Sequence, residues 1–253
     1  MKIQGQKSEN FKQTIDLMKF LGNSLNCFLL VNGSFSSKKN ENFIVTEYVV
    51  DSLKDKSQEI LSNDLLVKIV KFLIEGFAFM SLNRIFHRNI SPQNIFLTLD
   101  FIPKIVNFTS ALVHIVDEKK PIVKNFPYFD DNESGYLSPE RYKLMQDLKS
   151  AQSIQSIQSA KNTKSVQGIQ SVQAFDVNIE KSEVYSLGLV ILELIIKKEI
   201  TEFQSGEKFL EMYEAISEIN DLLLRNIVEK MLMNDPEDRP YFKDLLNEVN
   251  SIF

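Results

Sequence analysis

The 253-residue chain carries 29 Lys and Arg against 34 Asp and Glu, a net charge of -5, with the two signs interspersed. That balance excludes a basic nucleic-acid-binding stripe and a polybasic membrane patch. A 43% hydrophobic content with 19 Phe supports a sizeable core, and a single cysteine, Cys27, excludes an intrachain disulfide and a cysteine-based metal site.

The opening decapeptide MKIQGQKSEN lacks the apolar core of a secretion signal, so a soluble, intracellular (cytoplasmic) protein is expected. Residues 8–22 follow. A cap at Ser8, apolar residues Phe11, Ile15, Met18 and Leu21, and a stop at Gly22 predict a helix. Cys27 sits among Leu25, Phe28 and Leu29 and reads as an inert core thiol. CFLLVNGSF (27–35) and NFIVTEYVV (42–50) read as two strands joined by the polar loop SSKKNE. Leu65, Ile69, Phe72, Leu73, Phe77 and Met80 place a long amphipathic helix over 62–82. Next come a loop, a strand near 95–98, a turn and a strand near 103–107. Residues 110–135 have little periodicity and read as an irregular loop. From 181 the chain is helical again, with a break near Asn234, Asp235 and Pro236; its longest apolar run, 187–196, carries Glu193 and is too short to span a bilayer.

Near-copies of one triplet interrupt this order: SIQ at 153 and 156, SVQ at 165 and 171, GIQ at 168. Their Ser and Gln content predicts a flexible low-complexity insertion at about 145–177, rather than a helix that docks a partner.

Six stretches, in order, resemble the eukaryotic protein kinase superfamily. IVTEYV (44–49) resembles the strand and hinge that cradle adenine. GFAFMSLNRIFHRNISPQN (76–94) resembles the helix and catalytic loop around H-R-D-x-x-x-x-N. KIVNFT (104–109) resembles the approach to D-F-G, and GYLSPE (135–140) the A-P-E end of the activation segment. KSEVYSLGLVILELI (181–195) resembles the central helix and DPEDRP (235–240) the start of the late helices. The resemblance implies an α+β, protein-kinase-like bilobal fold, with a truncated N-terminal lobe over 1–49 and a mainly α-helical C-terminal lobe over 50–253. It also implies that His87 and Phe108 belong to a hydrophobic spine joining the lobes, and that Glu140 and Arg239 form a buried ion pair.

Phosphoryl transfer needs a base for the hydroxyl proton, oxygen ligands for magnesium and a clamp on the phosphates. By resemblance, Asn89 stands at the base, where a neutral amide cannot take a proton near neutral pH; general-base catalysis is typically worth 10²–10⁴-fold. Asn107 stands at the D-F-G aspartate, Thr109 at its glycine, and Ser91 at the phosphate-directed lysine. Asn94 is kept as the second metal position, so Asn94 and Asn107 are the candidate metal ligands. Glu183 replaces the aspartate that anchors the catalytic loop. No G-x-G-x-x-G occurs. Lys2 is the candidate nucleotide lysine, with Thr14 or Asp16 near its partner's position. Thr46 is the candidate gatekeeper, and Glu47, Tyr48 and Val49 the hinge. Arg88 is expected to face an activation loop in which Asp130, Asp131 and Glu133 read as a solvated acidic turn or as mimics of a phosphate.

The expectation is a catalytically impaired pseudokinase that binds a protein partner, with at most weak binding of ATP and magnesium and no nucleic acid or membrane partner. The residues leave open an active serine/threonine kinase acting on protein substrates, and a chain whose first strands lie upstream of Met1.

Overall fold

The computed structural model describes residues 2–3, 8–37, 41–56, 61–113, 136–160, 177–198, 200, 203 and 208–252. The small lobe is a three-stranded antiparallel sheet in the order β1-β3-β2, from β1 (Lys2–Ile3), β2 (Val31–Ser36) and β3 (Asn42–Thr46). Helix α1 (Ser8–Ser24) packs against β2. The three-to-four spacing of Phe11, Ile15, Met18 and Leu21 puts all four on one face, and all four are buried.

The large lobe is built around two helices. In α3 (Asn63–Leu82), the Ser62 hydroxyl accepts the Leu65 N–H at 3.4 Å, satisfying one of the free donors of the first turn. In α5 (Ile179–Ile196), the Asn178 side chain accepts the Lys181 N–H, and every residue from 181 to 194 is buried. A helix apolar on all sides has to sit inside the lobe, and α5 is that helix. Around them lie α2 (Leu53–Lys56), α4 (Pro139–Ala160), α6 (Phe209–Ser217), α7 (Leu222–Met231) and α8 (Phe242–Ile252). Between the lobes, β4 (Asp51–Ser52), β6 (Ile95–Leu97) and β7 (Pro103–Ile105) form a second sheet in the order β4-β6-β7. A small ladder joins β5 (Ile85–Phe86) to β8 (Leu112–Val113). The described residues form two lobes, mostly helical, in keeping with the protein-kinase-like bilobal fold that the resemblance implies.

Aromatic rings run through the core from one lobe to the other. Phe242 stacks on Phe77 at 5.4 Å and Phe77 meets His87 at 6.3 Å; His87 then meets Phe108 at 5.1 Å and Phe108 meets Phe28 at 6.2 Å. His87 and Phe108 thus occupy the middle of the spine expected of them.

Several boundaries differ from the sequence reading. Residues 27–30 are not in a strand; Phe28 bridges Ile105 instead, and the Ile105 N–H donates to the Cys27 carbonyl at 2.8 Å. The second strand stops at Thr46, because residues 47–50 leave the sheet to cross between lobes. Within the expected irregular loop, Leu112–Val113 pairs with β5, and residues 114–135 lie outside the described residues. Helix α4 runs through both SIQ triplets at 153–158, where a flexible segment was expected. Its first turn is anchored by Glu140, so nucleation is complete and elongation through Gln and Ala is cheap. The remaining triplets fall in 161–176, outside the described residues. Among the described residues, no helix is long and apolar enough to cross a membrane.

Candidate functional site

The catalytic-loop segment is held from below by α5. Arg88 has a positive φ of 65°, a conformation an L residue adopts at some cost. Its N–H donates to the buried Glu183 carboxylate at 2.6 Å. Glu183 therefore anchors this loop, as expected of the longer acid. Burial pushes its pKa up to about 7, against the opposing pull of the Arg88 N–H and the Arg141 charge. His87 is fully enclosed. Its Nε2 lies 2.8 Å from the Val106 carbonyl, and its Nδ1 accepts the Asn89 N–H at 3.3 Å. These contacts fix the neutral Nε2–H tautomer, and burial holds the pKa down at about 4. His87 is thus a structural pin and carries no charge at neutral pH.

The loop brings the predicted amides together. Asn107 lies just past β7 in the left-handed region, φ 66° and ψ 61°, which asparagine tolerates better than most residues. Its Nδ2 donates to Asn94 Oδ1 at 3.0 Å. Its Oδ1 accepts the Thr109 hydroxyl at 2.8 Å. Asn94 Nδ2 in turn donates to the Asn89 carbonyl at 2.8 Å. The side-chain oxygens of both candidate metal ligands are therefore already accepting hydrogen bonds. Both groups are neutral, whereas magnesium takes charged oxygens and gives up water reluctantly. Among the described residues, no group of three or more His, Cys, Asp or Glu could hold a metal. Two neutral amides hold magnesium less well than the carboxylate-and-amide pair that the resemblance implies for an active site. Asn89 Oδ1 and Ser91 Oγ are buried with no hydrogen-bond partner among the described residues.

The candidate hinge is Glu47, Tyr48 and Val49, preceded by the candidate gatekeeper Thr46. The Thr46 hydroxyl donates to the Glu47 carbonyl at 3.0 Å, Tyr48 is exposed, and Val49 packs on the core. Glu47 has a role that sequence reasoning did not assign. Its carboxylate accepts the Leu30 N–H at 2.7 Å and pairs with Lys104 Nζ at 2.9 Å. Lys104 is buried on β7, and it also donates to Asn26 Oδ1 at 3.0 Å and to the Phe28 carbonyl at 3.4 Å. One ammonium thus ties the hinge, the turn after α1 and the strand leading to Asn107. All three residues of β7 are buried, so strand alternation, which would send Lys104 to solvent, fails here.

The remaining candidates scatter. Lys2 lies on β1, with Phe43 opposite it in the sheet. On α1, Thr14 is buried and Asp16 is exposed, so the shifted register that would bring Asp16 inward is not adopted. Asp130, Asp131 and Glu133 lie outside the described residues, and with them the expected encounter with Arg88. At the far end of the segment, Arg239 holds Glu140 with two hydrogen bonds, 2.7 and 2.9 Å. It also donates to the carbonyls of Met233 and Asn234.

Comparison with known proteins agrees with this geometry. Residues 1–125 match the family model described as protein tyrosine and serine/threonine kinase. The dual specificity protein kinase zak2 of Dictyostelium discoideum is 21% identical over 84% of this chain and 27% of its own length. A probable LRR receptor-like serine/threonine-protein kinase of Arabidopsis thaliana is 24% identical over 99% of the chain and 25% of its own length. A further Arabidopsis thaliana leucine-rich repeat receptor-like protein kinase, with "inactive" in its name, is 25% identical over 98% of the chain and 38% of its own length. The chain spans a quarter to about two fifths of these curated relatives.

Proposed function

The chain belongs to the protein kinase superfamily, and from that premise we propose that it is a catalytically impaired member, a pseudokinase that serves as a binding or regulatory scaffold for a protein partner inside the cell. The observation that carries the reading is the closed amide pair: Asn107 and Asn94 bond to each other where two metal-holding oxygens would be needed. An aspartate at 107 would bring a negative charge and no N–H to donate; the asparagine removes the charge and spends its N–H on its neighbour. Asn89 adds a second deficit, since the proton of an acceptor hydroxyl has no carboxylate to go to. What is kept is structural: the Glu183 anchor, the aromatic spine and the Arg239–Glu140 pair. Nucleotide contact in this reading is limited to the hinge backbone and does not depend on metal.

The test uses the full chain. Transfer of labelled phosphate from ATP to a generic protein substrate is expected to stay at background with magnesium or manganese. ATP is expected to shift the melting temperature equally, and little, with and without magnesium. Metal-dependent transfer that disappears in Asn94→Ala would refute the proposal and establish an active kinase.

A further inference from the structure

On the large lobe, the ends of α3, α5 and α8 and strand β5 line an open pocket of about 300 Å³. Its wall is apolar on one side: Leu82, exposed at 69%, the buried Phe86 and the ring of Tyr241. Three charged residues face the same space, Arg84, Lys243 and Glu180. Among the described residues, none of the three is within ion-pairing distance of another charge. Lys243 has only the face of Tyr241 beneath it, at 5.7 Å, and Glu180 uses Oε1 to accept the Phe242 N–H at 3.1 Å. A carboxylate has acceptor capacity to spare after one such bond.

Arg84 supplies a second observation. It is the first residue past the C-cap of α3, Asn83, and has a φ of 56°. Glycine is the residue that takes this left-handed position without strain. A bulky residue there is a departure from local preference, and such departures concentrate at functional sites. Among the described residues the Arg84 side chain makes no hydrogen bond or ion pair; it lines the pocket.

We propose that this pocket binds a small zwitterion with an apolar body, of the class of free α-amino acids. The carboxylate lies against Arg84, with Lys243 beside it. The ammonium meets the free oxygen of Glu180, and the side chain rests on Leu82, Phe86 and Tyr241. A simple anion would leave Glu180 facing like charge, and a simple cation would face two; only a ligand with both signs uses all three groups. The inference does not depend on whether the chain transfers phosphate.

Calorimetric titration of the full chain with L-leucine and L-phenylalanine tests it, alongside N-acetyl-L-leucine and L-leucinamide, which lack the ammonium and the carboxylate respectively. Saturable binding of the free amino acids is expected, with each derivative weaker by about tenfold or more. Arg84→Gly keeps the backbone conformation and relieves its strain, so the melting temperature should hold or rise while binding is lost. Should that variant fail to fold, the comparison of derivatives on the unaltered chain still decides. No saturable binding, equal binding of the derivatives, or unchanged affinity in a folded Arg84→Gly protein would each overturn the proposal.

Discussion

Replacing Lys104 by Met removes the ammonium that ties the hinge to β7 and keeps most of the side chain's apolar stem. Lys104 is 4% exposed and Glu47 27% exposed. Breaking a fully buried pair from one side costs roughly 3–5 kcal/mol. Glu47 is partly solvated and keeps the Leu30 N–H, so the expected loss falls to about 2–3 kcal/mol. At about 2–4 °C per kcal/mol for a chain of this size, melting should drop by about 4–12 °C. Urea unfolding followed by circular dichroism measures the loss directly. In the double variant Lys104→Met with Glu47→Gln no carboxylate is left uncompensated, and a coupling energy of about 1–2 kcal/mol should appear in the cycle. A single-variant loss under about 0.5 kcal/mol, or a coupling indistinguishable from zero, would show that the ion pair does not hold the hinge.

Arg239→Met should destabilise by roughly 3–5 kcal/mol in the same urea experiment, since Glu140 and three backbone carbonyls lose their partner in a buried setting. Glu183 has a folded pKa near 7, above its ordinary 4.5. Between those values the folded protein keeps a proton that the unfolded chain has lost, so stability falls as pH rises across that window. Glu183→Gln cannot ionise, and its melting temperature should gain on the unaltered chain from pH 5 to 7.5; a constant gap would contradict the assignment. Burial pushes the Cys27 thiol up to about 12. A thiol reagent at pH 8 should therefore label the folded chain far more slowly than the urea-unfolded one, and equal rates would place the thiol at the surface.

Much of the site was readable before any coordinates. The apolar spacing of α1 and α3, the continuous hydrophobic run of α5 and the motifs around residues 87–94 and 104–109 are local patterns. They specify which residues are inside and which chemical groups stand at the loop. That Asn89 and Asn107 bring no charge to the loop follows from identity alone, because no placement gives an amide a carboxylate's charge. What lay beyond reach was pairing. That Asn107 bonds Asn94 rather than solvent depends on a left-handed turn at 107 bringing two positions thirteen residues apart within 3.0 Å. Nothing in the sequence singles out Lys104. It is buried because the turn after α1 and the hinge both close over β7, and Glu47 waits there with the opposite charge. Residue type and periodicity are properties of the chain and survive any arrangement. Which charges meet, and which pocket they face, exist only once distant segments are packed together.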